Sequence, residues 1–204
     1  IMYQLKVILA STRTARKGPA VARWFMDQLQ GHSEFNAELI DLKELDLPFL
    51  DEPEHPRFRH YQHEHTKRWS AIIDGADAFV IVTCEYNFGY PAPLKNALDF
   101  LYQEWNNKPV GFVGYGGIAG GTRAIQMLKQ VVTAQKMMPL AEAVYIPFFV
   151  NHIGEDGTFA SPARPASVIP LLAWLSTSKS WKSVLTRGRS GTQRSCGRCY
   201  GYRS

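Results

Sequence analysis

The sequence predicts an α/β protein with one parallel β-sheet that carries helices on both faces. Short apolar runs rich in β-branched residues occur five times along the chain, and helical periodicity separates most of them. Polar or glycine-rich loops follow the first, third and fourth runs. Parallel strands bring the loops at their carboxyl ends to one edge of a sheet, so we expect these three loops to converge there.

The first strand is predicted at residues 5–9, a short apolar run typical of a buried parallel strand. The polar loop ASTRTARKG follows it at residues 10–18. A helix is predicted from about Pro19, since proline is well tolerated in the first turn of a helix. Three apolar residues fall on one face of this helix and predict a buried stripe: Val21, Phe25 and Leu29.

The second strand is predicted at residues 38–41. Residues 46–61 are rich in proline and too irregular for a regular element, so they are predicted to form a loop. A helix over residues 66–75 should turn Trp69, Ile72 and Ile73 inward.

The third strand, residues 78–83, ends in the stretch TCEYNFGYPAPLKNALD at residues 83–99. This stretch turns through Gly89 and Pro91, and the next helix is predicted at residues 92–101. Hydrogen-bonding groups and flat rings at a strand end suit a planar ligand.

The last predicted unit begins with a fourth strand at residues 110–113, interrupted by Gly111. A glycine cluster at residues 114–121 leads into a strongly periodic helix at residues 122–137. The fifth strand is predicted at residues 143–146.

The end of the chain differs in composition from the body. Eight of the 23 basic residues, and none of the 18 acidic ones, lie in residues 160–204, which leaves a net charge of −3 for residues 1–159. A helix is predicted from Ser167 to about Trp174. We expect one domain over residues 1–175 and a loose, basic Ser/Arg/Gly-rich tail over residues 176–204.

Composition also narrows the class of protein. The mildly acidic body gives no electrostatic support for nucleic-acid binding. No apolar run approaches the length of a membrane helix, no signal-peptide pattern is visible, and three cysteines are too few for a disulfide framework. We therefore expect a cytoplasmic protein.

The loop at residues 10–18 has the chemistry of a phosphate site. It offers hydroxyl groups and positive charges immediately before a helix N-terminus, where backbone N–H groups favour anions. The hydroxyl groups belong to Ser11, Thr12 and Thr14, and the charges to Arg13, Arg16 and Lys17. The loop is neither a Walker A sequence nor the GxGxxG motif of dinucleotide-binding folds.

Three segments in this order resemble the NADPH-dependent FMN reductase family: STRTARKGPAVARWF, EYNFGYPAPLKNALDFL and GFVGYGGIAGGTRA. The resemblance covers roughly residues 4–153. It implies a flavodoxin-like three-layer sandwich with a five-stranded parallel sheet in the order 2-1-3-4-5. The chain departs from the family's pattern at Cys84, where proline is usual, and at Gly114, where serine is common.

The resemblance also implies a cofactor and its contacts. FMN would bind without a covalent link, and NADPH or NADH would reduce it. The implied phosphate contacts are Ser11, Arg13, Gly18, Pro19 and Ala20. The implied contacts to the ring and ribityl chain are Glu85, Tyr86, Asn87 and Phe88, with Gly116 and Gly117 approaching the ring through their backbone.

Three functions are open from the sequence. The first is an NAD(P)H-dependent FMN reductase that passes electrons to a small acceptor such as a quinone, azo compound, metal ion or flavin. It would work without a catalytic side chain, since the flavin carries the chemistry, and the family implies a homodimer or homotetramer. The second is a flavodoxin-like electron carrier without nicotinamide turnover, and the third is an interaction protein without flavin.

Two other patterns could hold a metal. His60, His63 and His65 stand near acidic residues, but their spacing is not a standard zinc pattern. Cys196 and Cys199 form a single C-x-x-C in the tail, without a second pair. We therefore predict no metal site.

Overall fold

The computed structural model describes residues 2–160, which form one sheet and its flanking helices. The strands are β1 (Tyr3–Leu9), β2 (Phe35–Asp41), β3 (Ala78–Cys84), β4 (Pro109–Tyr115), β5 (Met138–Pro139) and β6 (Val144–Ile146). The α-helices are α1 (Gly18–Gln28), α2 (Leu42–Leu45), α3 (Glu64–Asp74), α4 (Ala92–Asp99) and α5 (Thr122–Ala134). Single 3-10 turns lie at Pro56–Phe58, Gln103–Trp105 and Phe149–His152. The predicted helix at residues 167–174 and the tail lie outside the described residues.

All strand pairs in the sheet are parallel, and the order is β2-β1-β3-β4-β5. This confirms the predicted order. The fifth position differs from the prediction because two short strands share it. β5 pairs with the beginning of β4, and β6 pairs with its end.

The two central strands are buried along their whole length, as a parallel sheet covered on both faces requires. The interruption predicted at Gly111 is absent, and this residue lies in register with Val80 of β3. β4 therefore continues to Tyr115, which carries a polar hydroxyl to the carboxyl end of the sheet.

The helices cover the two faces unequally. α1 packs on one face through the predicted stripe, whose three side chains are all buried. The opposite face is covered mainly by α3, α4 and α5, around an edge-to-face pair of Trp69 and Trp105 with ring centroids 5.9 Å apart. Trp105 also packs edge-on against Phe79 of β3, at 5.0 Å. These rings fix the position of α3 and α4 on the sheet.

α2 was not predicted, because a helix of four residues has no periodicity to read. A single cap accounts for its start. Asp41, the last residue of β2, accepts a hydrogen bond from the Lys43 backbone N–H at 3.0 Å. The helix then ends at Asp46, which has a left-handed backbone.

The proline-rich segment is a loop, as predicted, apart from the single turn at Pro56–Phe58. Its conformation is held by side chains that accept hydrogen bonds from its own backbone. The Glu52 carboxylate accepts from the backbone N–H groups of Gln62 (2.8 Å) and His63 (3.0 Å). Between residues 2 and 160, every helix falls short of the length or apolar character needed to cross a bilayer.

Candidate functional site

Three loops meet at the carboxyl edge of the sheet, as predicted. They follow β1, β3 and β4, which are neighbours in the sheet. The Ala10 backbone N–H donates to the Val82 carbonyl at 3.0 Å, and the Tyr115 hydroxyl donates to the Ser11 hydroxyl oxygen at 3.1 Å. The first loop is therefore joined to β3 and to the end of β4.

The first loop closes tightly on the start of α1. A Cβ atom at Gly18 would lie 2.4 Å from both the Ser11 Oγ and the Tyr115 hydroxyl oxygen, so only glycine fits there. No side chain caps this helix, and Pro19 occupies its first turn. The predicted residues Ser11, Gly18 and Pro19 thus lie together at one helix N-terminus, which is a favourable place for an anion.

One of the three positive charges in this loop is already paired. Arg16 forms two hydrogen bonds with the Asp41 carboxylate, each of 2.5 Å, and another with the Ser11 carbonyl. This pairing holds the pKa of Arg16 above its usual value. The positive charge of Arg16, predicted from the sequence to favour phosphate, is therefore paired with Asp41 of β2. The side chain of Arg13 is exposed.

A buried thiol lies between the first and second loops. Cys84 ends β3, and its thiol has the hydroxyls of Tyr86 and Tyr115 as hydrogen-bonding neighbours. Tyr86 also interacts with Arg13. Burial raises the pKa of Cys84, of Tyr86 and of Tyr115, so these groups are neutral at physiological pH. These side chains therefore link the first loop to the second.

The second loop makes a tight turn with an unusual backbone. Tyr86 and Gly89 exchange two backbone hydrogen bonds of 2.9 Å each. The two residues between them, Asn87 (φ 49°) and Phe88 (φ 70°), are both left-handed, which is the pattern of a type I′ turn. Asparagine tolerates this conformation, but a residue such as phenylalanine adopts it at a cost of about 1–2 kcal/mol.

An ion pair ties this turn to α5. Both oxygens of the Glu85 carboxylate are engaged by Arg123, one by its backbone N–H at 3.1 Å and the other by its guanidinium, with the Nε donating at 2.6 Å. The same guanidinium lies over the Phe88 ring, 3.8 Å from the centroid. Only 7% of the Glu85 side chain is exposed. Glu85 therefore acts inside the protein as an anchor for the turn.

The third loop exposes its backbone at Gly117, whereas Gly116, which lies beside the second loop, is buried. A Cβ atom at Gly117 would meet nothing within 4 Å, whereas one at Gly116 would lie 3.7 Å from the Glu85 Cβ. Gly114 is enclosed, since a Cβ there would lie 2.8 Å from Ile125 and 2.9 Å from the Gly120 carbonyl oxygen. The serine that is common in the family at this position would not fit this loop.

Two residues of the site were missed at the sequence level, Tyr115 and Arg123. Tyr115 was hidden because the fourth strand was predicted to end at Val113. Arg123 carried a signal that could have been used: a positive charge in the first turn of a helix is unfavourable unless an acid lies nearby. That acid is Glu85.

The histidine-rich loop forms ion pairs and ring contacts. His65 lies 3.0 Å from an Asp51 carboxylate oxygen, and the rings of His63 and His65 stack at 5.2 Å. In the part of the chain that the structure covers, no group of three or more His, Cys, Asp or Glu side chains is placed to hold a metal ion. Cys196 and Cys199 lie outside that part.

Comparisons with known proteins show the family of this chain. The family model described as NADPH-dependent FMN reductase matches residues 4–151. An NAD(P)H-dependent FMN reductase of Schizosaccharomyces pombe is 45% identical over 172 residues, covering 76% of this chain and 86% of that protein. An NADPH azoreductase of a Bacillus species is 29% identical over 184 residues, covering 89% and 98%.

Among solved structures, the NAD(P)H:(acceptor) oxidoreductase FerB of Paracoccus denitrificans, a flavoenzyme, superposes with a TM-score of 0.63 at 21% identity. The superposition covers 85% of this chain and 93% of that one. It shows the same fold, with helices on both sides of a parallel sheet.

Proposed function

This chain belongs to the NADPH-dependent FMN reductase family and is an oxidoreductase that uses FMN and NAD(P)H, and we propose that the three-loop site holds the FMN. The observation that carries this proposal is the meeting of the loops after β1, β3 and β4 at one sheet edge. A helix N-terminus, an exposed tyrosine and open glycine backbone are gathered there. Azo compounds are proposed as acceptors because a relative over nearly the whole chain is named an NADPH azoreductase. Quinones are proposed because two relatives that match over 59 residues are named NADPH:quinone oxidoreductases.

The phosphate of FMN would bind at the N-terminus of α1. Its contacts would be the backbone N–H of Gly18 and the side chain of Arg13, the exposed arginine of the loop. Pro19 has no N–H to donate, and the N–H of Ala20 donates to the Lys17 carbonyl at 3.1 Å, so these two residues would shape the first turn beside the phosphate. Ser11 is only 1% exposed and accepts from Tyr115, so its remaining contribution is its own hydroxyl hydrogen.

The isoalloxazine ring would lie between the second and third loops. Tyr86 and Asn87 would border it on one side, and the exposed backbone of Gly117 on the other. Gly116 is buried, and its N–H and carbonyl are paired with Ile146 and Phe149. Because the Glu85 carboxylate is engaged by Arg123, any contact from Glu85 would come from its main chain. Backbone N–H groups near the ring would stabilise negative charge.

When bound, the flavin accepts a hydride from NAD(P)H and passes electrons to the acceptor. The chain's own task is to hold the ring and present one face to the two substrates in turn. Because burial raises the pKa of Tyr86, Cys84 and Tyr115, these three side chains are neutral and would add no charge beside the ring. The proposed reaction would need no side-chain nucleophile, because the flavin carries the chemistry.

An anaerobic titration of the FMN-loaded protein with NADPH and with NADH tests this function. We expect the flavin absorption band to bleach with one equivalent of the better donor. Steady NAD(P)H oxidation with a quinone or an azo dye should follow, and FMN-free protein should show none. A bound flavin that neither nucleotide reduces would contradict the enzyme and support the electron-carrier alternative.

We also propose a homodimer or homotetramer. Several other large apolar side chains near the carboxyl edge and α5 are exposed in the single chain: Ile118, Met127, Phe148 and Val150. Light scattering coupled to size-exclusion chromatography would give the mass in solution. A monomer at micromolar concentration would contradict the proposal.

A further inference from the structure

The ring of Phe88 is displayed at the mouth of the site. Phe88 is 61% exposed, although its backbone occupies the left-handed region. One face of the ring is covered by the Arg123 guanidinium at 3.8 Å. The other face has no ring or cation partner among residues 2–160.

This display is fixed by contacts beyond the ring itself. Arg123 is held by both oxygens of the Glu85 carboxylate. The turn that carries Phe88 also rests on α5, because a Cβ at Gly89 would lie 3.9 Å from the Met127 sulfur. Glycine would adopt the φ of residue 88 without strain, yet a large ring stands there and gains little burial. Strain maintained in this way is a reason to look for a function.

The position of the ring suggests which function. The turn shares its base with the glycine loop, since the Glu85 Cβ lies beside Gly116. Phe88 therefore stands beside the place where the flavin ring is proposed to lie. A flat side chain at that point can hold a second flat molecule by stacking.

We propose that the free face of Phe88 stacks on the planar conjugated ring of the substrate, the nicotinamide of NAD(P)H or the ring of a quinone. This inference rests on the proposed function. It moves Phe88 from the flavin contacts implied by the family resemblance to the substrate contacts. Phe88 would thus set the preference for planar substrates.

The test compares Phe88→Leu with Phe88→Tyr. Leucine keeps the apolar cover over Arg123 and removes the flat ring, whereas tyrosine keeps the ring. Phe58→Leu is the matched control, because Phe58 is exposed as well, at 48%, and lies beneath an arginine, Arg57, at 4.5 Å. Calorimetric binding of NADP⁺ to the FMN-loaded proteins should weaken roughly three- to tenfold in Phe88→Leu only, and Phe88→Tyr should bind like the wild type.

Kinetic measurements separate the two possible ring sources. If Phe88 stacks on the acceptor as well, Phe88→Leu should raise the KM for 1,4-benzoquinone and leave the KM for the non-planar ferricyanide unchanged. A rise in the NADP⁺ dissociation constant alone assigns the stacking to the nicotinamide.

Three results would overturn the inference. In the first, Phe88→Leu changes neither the NADP⁺ dissociation constant nor the KM for benzoquinone by more than twofold. In the second, Phe88→Tyr binds as weakly as Phe88→Leu, and in the third, Phe88→Leu loses FMN, which would make Phe88 a flavin contact. Failure of the proposed function has a different signature, because wild-type protein would then hold no FMN or leave NAD(P)H unoxidised.

Discussion

At the first residue of α1, the backbone is packed too closely for any side chain. A methyl group on Gly18 would overlap Ser11 and Tyr115 and would lie 3.0 Å from Leu9. Ser11 could rotate, but the tyrosine hydroxyl ends a rigid, buried ring. The helix N-terminus proposed to bind phosphate is therefore held by this close contact.

Gly18→Ala should accordingly lower the free energy of unfolding by about 1–3 kcal/mol, the usual penalty for overpacking a core. Denaturant unfolding followed by circular dichroism would measure it. Gly117→Ala is the matched control, since its Cβ would enter open space, and its free energy of unfolding should stay within about 0.5 kcal/mol of the wild type. A Gly18→Ala protein as stable as the wild type would mean that Tyr115 moves freely.

Cys84 shows where single residues can and cannot be interpreted from sequence. Its identity stood out against the family's proline, and its place at a strand end was predicted. Its two tyrosine neighbours were not, because one of them lies on β4 and meets Cys84 only through the register of β3 with β4. Such contacts between distant residues depend on strand pairing, which local pattern does not specify.

At the scale of elements, the first loop is anchored to β2 and α2 by the pair of Arg16 and Asp41. Both side chains are nearly buried. Asp41 also caps α2, so one carboxylate holds a loop, the end of a strand and the start of a helix. Arg16 therefore holds the geometry of the loop, and Arg13 supplies its exposed positive charge.

Asp41→Ala should lower the free energy of unfolding by about 3–5 kcal/mol, because it leaves a guanidinium buried without its partner. Arg13→Ala, in the same loop but exposed, should change it by less than about 0.5 kcal/mol and weaken FMN binding instead. Urea unfolding and fluorescence titration with FMN would measure the two quantities separately. Equal stability losses in both variants would contradict this division of roles.

Most of the elements were predictable, and the exceptions share a cause. Long apolar runs and regular stripes predicted β1, β3, β4, α1, α3, α4 and α5, with ends shifted by a few residues. α2 was missed because it depends on a single cap, and β5 was missed because it is defined only by its pairing with β4. The loops of the site were placed correctly, but the Glu85–Arg123 anchor joins residues 38 apart and needed the structure.

At the scale of the whole molecule, Lys108 should make the free energy of unfolding depend on pH. This lysine precedes β4, at the end of the strand away from the site, and its ammonium donates to the carbonyls of Ile73 (2.7 Å) and Asp74 (3.0 Å) at the end of α3. Burial lowers the pKa of Lys108 to about 8 from the usual 10.5. The unfolded chain therefore binds the proton more tightly than the folded chain.

The sign of the pH effect follows from this difference. Above pH 10.5, the usual pKa of lysine, Lys108 is neutral in the folded and the unfolded chain, so its burial costs no desolvation of a charge. Below its folded-state pKa of about 8, Lys108 is charged in both states, and the full cost of burying the charge opposes folding. Relative to Lys108→Met, the wild type should gain up to roughly 3 kcal/mol of unfolding free energy between pH 8 and 10.5. Lys43→Met, at an exposed position, should show no such trend. If the difference in unfolding free energy between the wild type and Lys108→Met does not change with pH, the expected lowering of the Lys108 pKa is contradicted.

The divided fifth position of the sheet has a consequence for self-association. A sheet edge with a long, flat and uncharged strand invites another chain to add to it, which is a route to aggregation. In the described chain, one edge is made of strands of two and three residues, β5 and β6, and the other, β2, carries a charge pair between Glu38 and Lys6. Neither edge is a good template for a growing cross-β ladder. Copies of this protein should therefore associate through side-chain packing, and the sheet itself should resist polymerisation.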